Sequence, residues 1–153
     1  MPSTLEHPGK MARAVQLQSK ITELQSELQA LRGTTVPGIL LPEIHDEENG
    51  RIDARKVAVF MGIPLKHLAE GLGLSYKAVH RNPSASAFQE ALQPVKQSLE
   101  VLHGFFGPPE AIRAWLNTPH PLLDGETSLA TILDGKAYAI ARLLVNAWYG
   151  IPA

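Results

Sequence analysis

The side chains in this chain that could do covalent or metal chemistry are few and scattered. Six histidines stand at positions 7, 45, 67, 80, 103 and 120, and they do not assemble a metal-ligating set. There is no cysteine, which removes disulfides and thiolate chemistry together. His120-Pro121 and Asp124 bring an imidazole near a carboxylate, but no nucleophile is partnered with them, so a loop histidine is expected. Gly71-Leu72-Gly73 lacks the preceding strand of a phosphate loop and reads as a helical turn. No catalytic centre, metal or cofactor is expected, and the chain does not read as an enzyme. What its residues can do is grip an anion. Tyr76, Lys77, His80 and Arg81 follow Ser75 at spacings that share one helical face, where cations suit phosphates or guanine edges and tyrosine a phosphate or thymine methyl.

The formal net charge of −1 hides this group. Arg51, Arg55, Lys56, Lys66, Lys77 and Arg81 face only Asp53 and Glu70 between positions 51 and 81, a local charge of +4. The remainder carries −5. Such asymmetry fits a nucleic-acid-facing module or a solvated face.

The elements that must position these residues are helical. Leu65 to Arg81 reads LKHLAEGLGLSYKAVHR, which meets the demands of a helix-turn-helix. Ala69 stands where two helices cross closely, Gly73 at a turn needing positive φ, and Val79 where the second helix packs back. Ser75 is the expected N-cap. Upstream, Asp53 is expected to cap a helix over Ala54–Met61 that Gly62 ends. Downstream, Pro83 stops the second helix short, and a longer helix is expected from Ala85 to Phe106 with Pro94 inside it. A helix from Pro108-Pro109 to Asn117, a short one capped by Thr127 or Ser128, and a last one over Lys136–Tyr149 complete an all-α chain.

At the N-terminus, Ala14, Leu17, Ile21, Leu24, Leu28 and Leu31 form a short heptad seam. Leu17, Ile21, Leu24, Leu28 and Leu31 are the expected contacts of a homodimer. Thr34 to Asn49 holds two prolines, a glycine and the acidic run HDEEN, and reads as a linker. The expected organisation is an N-terminal helix over 1–33, a linker over 34–50, a helix-turn-helix module with its long following helix over 51–106, and a C-terminal helical domain over 107–153. No apolar run approaches the roughly 20 residues that span a bilayer. The opening MPSTLEHPGK is unlike a secretory signal, so a cytoplasmic location is the expectation.

Ala114 to Gly135, AWLNTPHPLLDGETSLATILDG, is dense in turn residues and empty of catalytic ones, as suits a surface shaped for a protein partner. Trp115-Leu116, Pro119, Gly125, Thr127, Leu129, Ile132-Leu133 and Gly135, with Trp148-Tyr149-Gly150 closing the last helix, resemble the toxin-binding domain of the Xre/MbcA/ParS antitoxins. GLSYKAVHRNPSA, from Gly73 to Ala85, is similar to the Xre-like helix-turn-helix that precedes that domain. The resemblance covers about residues 52 to 151. Many members have proline where this chain has Ser128, and a serine can serve at a helix start in its place.

The resemblance implies an antitoxin partnered with a RES-domain toxin, an enzyme that degrades NAD, whose cofactor cleft the antitoxin's C-terminal domain covers. It also implies repression of its own operon through operator DNA, with Ser75, Tyr76, Lys77, His80 and Arg81 at the DNA. Toxin contacts are expected from Arg142, Asn146, Trp148, Tyr149 and Ile151. Trp148 fits the apolar stripe of its helix equally well, and Trp115 and Leu116 are expected to be structural. The alternative is a helix-turn-helix transcriptional regulator whose C-terminal module serves dimerisation or another partner. A third reading is an adaptor that dimerises through the N-terminal seam.

Overall fold

The computed structural model describes residues 8–30 and 40–151, with side chains described for 12–24 and 40–151. Leu28, whose backbone alone is described, and Leu31, Gly33 and positions 34–39 of the expected linker lie outside the residues whose side chains are described. The fold is mostly helical, and among the described residues no strand forms, only isolated bridges pairing His45 with Ile52 and Pro119 with Thr127. In chain order the helices are α1 (Pro8–Ala30), α2 (Ala54–Met61), α3 (Leu65–Gly71), α4 (Tyr76–Arg81), α5 (Gln89–Phe106), α6 (Pro109–Leu116), α7 (Ser128–Thr131) and α8 (Ala137–Trp148).

Caps set these bounds. Asp53 accepts a hydrogen bond from the Lys56 amide at 3.0 Å and starts α2, and Ser75 accepts from Ala78 at 3.3 Å and starts α4. Thr127, not Ser128, is the cap of α7, accepting from Ala130 at 3.0 Å. Ser128 is therefore the first helical residue, the position where proline's missing N–H costs nothing.

Two compact units are present, one spanning Leu41–Arg142 and one that takes in α1 and the chain from Leu143. The boundary expected between 106 and 107 is thus not a boundary, because α5 packs on α6 and α6 on α2. The core of this unit is apolar and continuous in composition: Val57 and Met61 of α2, Leu68 of α3, Val79 of α4, Leu92 to Leu102 of α5, and Ile112 and Leu116 of α6 are buried. In the other unit, Ala14, Leu17, Ile21 and Leu24 are half-buried along the α1 seam, while Val15 beside them is 62% exposed.

Leu41–Asn49 is folded rather than a linker. Leu41 and Ile44 are fully buried, and their burial outweighs the turn-rich composition around them. The prolines and acids make turns instead of slack chain: Asp46 accepts from the Glu48 amide at 2.8 Å and Asn49 from the Arg51 amide at 2.9 Å. Asp46 also accepts from the Ser84 hydroxyl at 2.7 Å, and this bond holds its carboxyl below the ordinary carboxylate range. The Gln89 amide pairs with both polar groups of the Ile52 backbone, at 2.8 and 2.9 Å, as a neighbouring strand would. Ala54 donates to the Pro83 carbonyl at 2.9 Å, so the proline that ends α4 also helps to start α2.

His45 is buried, with Nδ1 donating to the Leu41 carbonyl at 2.8 Å and Nε2 facing no hydrogen-bond partner. Its own carbonyl accepts from Lys56 Nζ at 2.8 Å. Burial pushes the imidazole below its ordinary pKa, Lys96 and Lys56 act in the same direction, and the Leu41 bond and Glu43 oppose them. The unfolded chain therefore takes up this proton first as pH falls. Stability is expected to drop as pH goes below about 6.5 and on through the lower folded value. Urea midpoints measured from pH 7.5 to 5 test this. A His45→Leu variant should lose that slope whatever its midpoint at neutral pH, and an unchanged slope would contradict the assignment.

Candidate functional site

α3 and α4 are joined by the turn Leu72–Ser75, where Gly73 adopts φ of +71° with open space around it. A side chain there would strain the backbone without striking anything, so conformation rather than room selects glycine. The Leu74 amide closes the turn on the Ala69 carbonyl at 2.8 Å. Ala69 is 1% exposed and Val79 fully buried, so the small residue and the branched one lie at the packed interior of the pair. α3 packs on α2 on one side and on α4 on the other.

This packing leaves Ser75, Tyr76, Lys77, His80 and Arg81 exposed together on α4. Tyr76 and His80 meet edge to face with ring centroids 5.7 Å apart, which orders one turn of that surface. α4 is only six residues long. A helix entering the major groove reads bases mainly with its N-terminal residues, so two turns suffice to present Tyr76, Lys77 and His80.

Of the basic segment, Lys56 is occupied with the His45 carbonyl, and Asp53 with its cap. Arg51, Arg55, Lys66, Lys77 and Arg81 remain exposed cations. Arg55 was visible in the sequence only as charge. Its guanidinium donates to the His80 carbonyl at 3.4 Å, placing a cation at the C-terminal end of α4, where the helix dipole favours one.

The second feature missed in the sequence is Gly71, the last residue of α3. A Cβ there would stand 2.7 Å from the Leu133 Cα and 2.9 Å from the Leu133 carbonyl oxygen. Leu133 belongs to a π-type turn, Ile132–Lys136, whose helical path breaks at Asp134 and Gly135. Two backbones in van der Waals contact leave no spacing pattern in one sequence, because residues 71 and 133 are remote along the chain.

The expected toxin-contact residues divide by exposure. Arg142 is exposed and Asn146 half-buried. Tyr149 and Ile151 are 47% and 53% exposed. Trp148 is 7% exposed, so it is a core side chain and not an accessible anchor. The apolar stripe of α8 decided its place, with Ile140, Ala141 and Leu144 buried on the same stripe. Past Trp148 the helix closes by a paired cap: Gly150 donates to the Ala147 carbonyl at 3.2 Å and Ile151 to the Asn146 carbonyl at 2.8 Å. This is the Schellman arrangement, and it sets the backbone path at Tyr149 and Ile151. Tyr138, at 71% exposure, is a further bare aromatic that sequence reasoning passed over.

Among the described residues no group of three or more His, Asp or Glu side chains is placed to hold a metal ion. Among them too, no helix is long and apolar enough to cross a membrane. Comparison of the chain with family models, with curated proteins and with solved structures finds no match.

Proposed function

We propose that this chain is a cytoplasmic antitoxin that binds a RES-domain, NAD-degrading toxin and blocks its active site, and that it represses its own operon through α4. The observation that carries the reading is the pairing of two prepared surfaces with different chemistry. One is the exposed set Tyr76, Lys77, His80 and Arg81 on α4, behind a turn that needs Gly73. The other is the tail, where a closed helix end presents Tyr149 and Ile151 at about half exposure. A tyrosine beside an aliphatic side chain, on backbone ordered before binding, is suited to anchor an interface. Arg142 is exposed and adds a cation suited to carboxylates on the toxin.

Co-expression with the product of the adjacent gene tests the first part, with growth rescue and co-purification as readouts. Truncating α8 would confound it, because Ile140 and Ala141 are buried and their loss would unfold the chain. Substitution of the exposed Tyr149 and Ile151 is the cleaner probe.

The second reading is a helix-turn-helix transcriptional regulator whose C-terminal module serves dimerisation or another partner. The exposed cations of α4 favour it specifically, and a homodimer through Leu17, Ile21, Leu24, Leu28 and Leu31 would supply the two-fold symmetry of an operator. It differs from the first in requiring no toxin.

A further inference from the structure

A helix as short as α4 brings its own negative end to any polyanion it meets. Its six residues span about 9 Å at 1.5 Å per residue, so a surface that presents Tyr76 and Lys77 holds the C-terminal end close by. The last four carbonyls of a helix have no partner inside it, and they carry the negative end of its dipole. Left bare, that end would oppose a phosphate backbone.

Arg55 reaches this end from a different helix. It is exposed on α2, and its Nη2 donates to the His80 carbonyl of α4 at 3.4 Å. The bond is long and exposed and contributes little stability of its own. Its consequence is position: a full positive charge stands where the helix would otherwise repel phosphate. A guanidinium has five N–H donors, so one engaged by His80 leaves four in a planar fork that suits a phosphate. Placement beside α4 before DNA arrives also lowers the ordering cost of binding.

Neither α2 nor α4 contains an acid; α2 carries Arg55 and Lys56, and α4 carries Lys77, His80 and Arg81. Lys56 is turned to the His45 carbonyl. Asp53, just before α2, accepts from the Lys56 amide, and Asp46 accepts from Ser84 and from the Glu48 amide. Glu47 and Glu48 on the Leu41–Asn49 turn and Glu70 on α3 are exposed. None of the described carboxylates is ion-paired with Arg55, Lys77 or Arg81.

We propose that Arg55 is a backbone-phosphate contact of the operator-binding surface, which therefore spans α2 and α4. The inference rests on the DNA-binding part of the reading above and adds a residue outside the helix-turn-helix segment Leu65 to Arg81. A phosphate carries no base identity, so Arg55 supplies affinity and register rather than sequence preference.

Fluorescence anisotropy tests this on the promoter fragment and on an unrelated duplex of equal length, over several salt concentrations, with Arg55→Gln and Arg55→Lys. Arg55→Gln should weaken binding about 10-fold on both duplexes and make the slope of log affinity against log salt shallower by about 0.9. Arg55→Lys keeps the charge and should keep the wild-type slope. Thermal melts of both should match wild type, since the side chain is exposed. Wild-type affinity and slope in Arg55→Gln overturn the phosphate contact and leave α4 standing as the DNA-reading element. A loss confined to the promoter fragment overturns it too, because it marks a base contact. Weakened affinity with an unchanged slope, whatever the melt, makes Arg55 a support of α4 alone and also overturns the contact. Failure of the wild-type chain to bind either duplex overturns the contact and the DNA reading together.

Discussion

Gly71→Ala is expected to lower the midpoint of thermal unfolding by roughly 2–8 °C, although alanine is the better helix former. The added methyl would stand 2.7 Å from the Leu133 Cα and 2.9 Å from its carbonyl oxygen, so main chain must move to admit it. Overpacking of this kind costs about 1–3 kcal/mol, and the gain in helix propensity, at most about 1 kcal/mol, does not offset it at a terminal residue. Gly73 is the internal control, since nothing stands within 4 Å of its Cβ position and its demand is a φ of +71°. Gly73→Asn should be nearly neutral, because asparagine accepts that conformation, whereas Gly71→Asn should be worse than Gly71→Ala. A melt of Gly71→Ala at or above wild type would show that the Leu133 turn yields freely.

The double change of Lys77→Ala and Arg81→Ala is expected to weaken binding to the chain's own promoter by about 100-fold, with thermal stability unchanged. Both side chains are exposed and the Ser75 cap of α4 is independent of them. If both reach phosphates, the slope of log affinity against log salt should become shallower by nearly two, about 0.9 for each phosphate no longer neutralised. If one reads a guanine edge instead, discrimination at one base pair should relax by about 1–3 kcal/mol while the slope changes by less. Fluorescence anisotropy on the promoter fragment at several salt concentrations separates these outcomes. Undiminished binding by the variant would remove α4 as the DNA-reading element.

The helices were legible in the sequence because their signals are local. Asp53, Ser75 and Thr127 cap where short polar side chains before apolar periods say they should. The heptad seam of α1 and the buried stripe of α8 follow from spacing alone. Leu41 to Asn49 misled because turn residues describe a linker and a folded, hydrogen-bonded turn equally well. What distinguished them was the burial of Leu41 and Ile44 and the reach of Ser84 and Gln89, at remote positions, to Asp46 and Ile52. The same limit hid Gly71 and Arg55, whose partners Leu133 and His80 are set by packing. Trp148 was legible in type but not in role, since one apolar stripe serves a core and an interface alike.

Antitoxin function is tested at its source by co-expression of the intact chain with the adjacent gene's product, followed by purification on one tag and assay of NAD consumption. Cells expressing that product alone should lose NAD and stop growing, the pair should grow, and the two proteins should purify together with the NAD-consuming activity suppressed. Substitution of both Tyr149 and Ile151 by aspartate should release that activity while promoter binding persists. An intact chain that neither restores growth nor co-purifies with an active NAD-degrading partner is not an antitoxin of this kind.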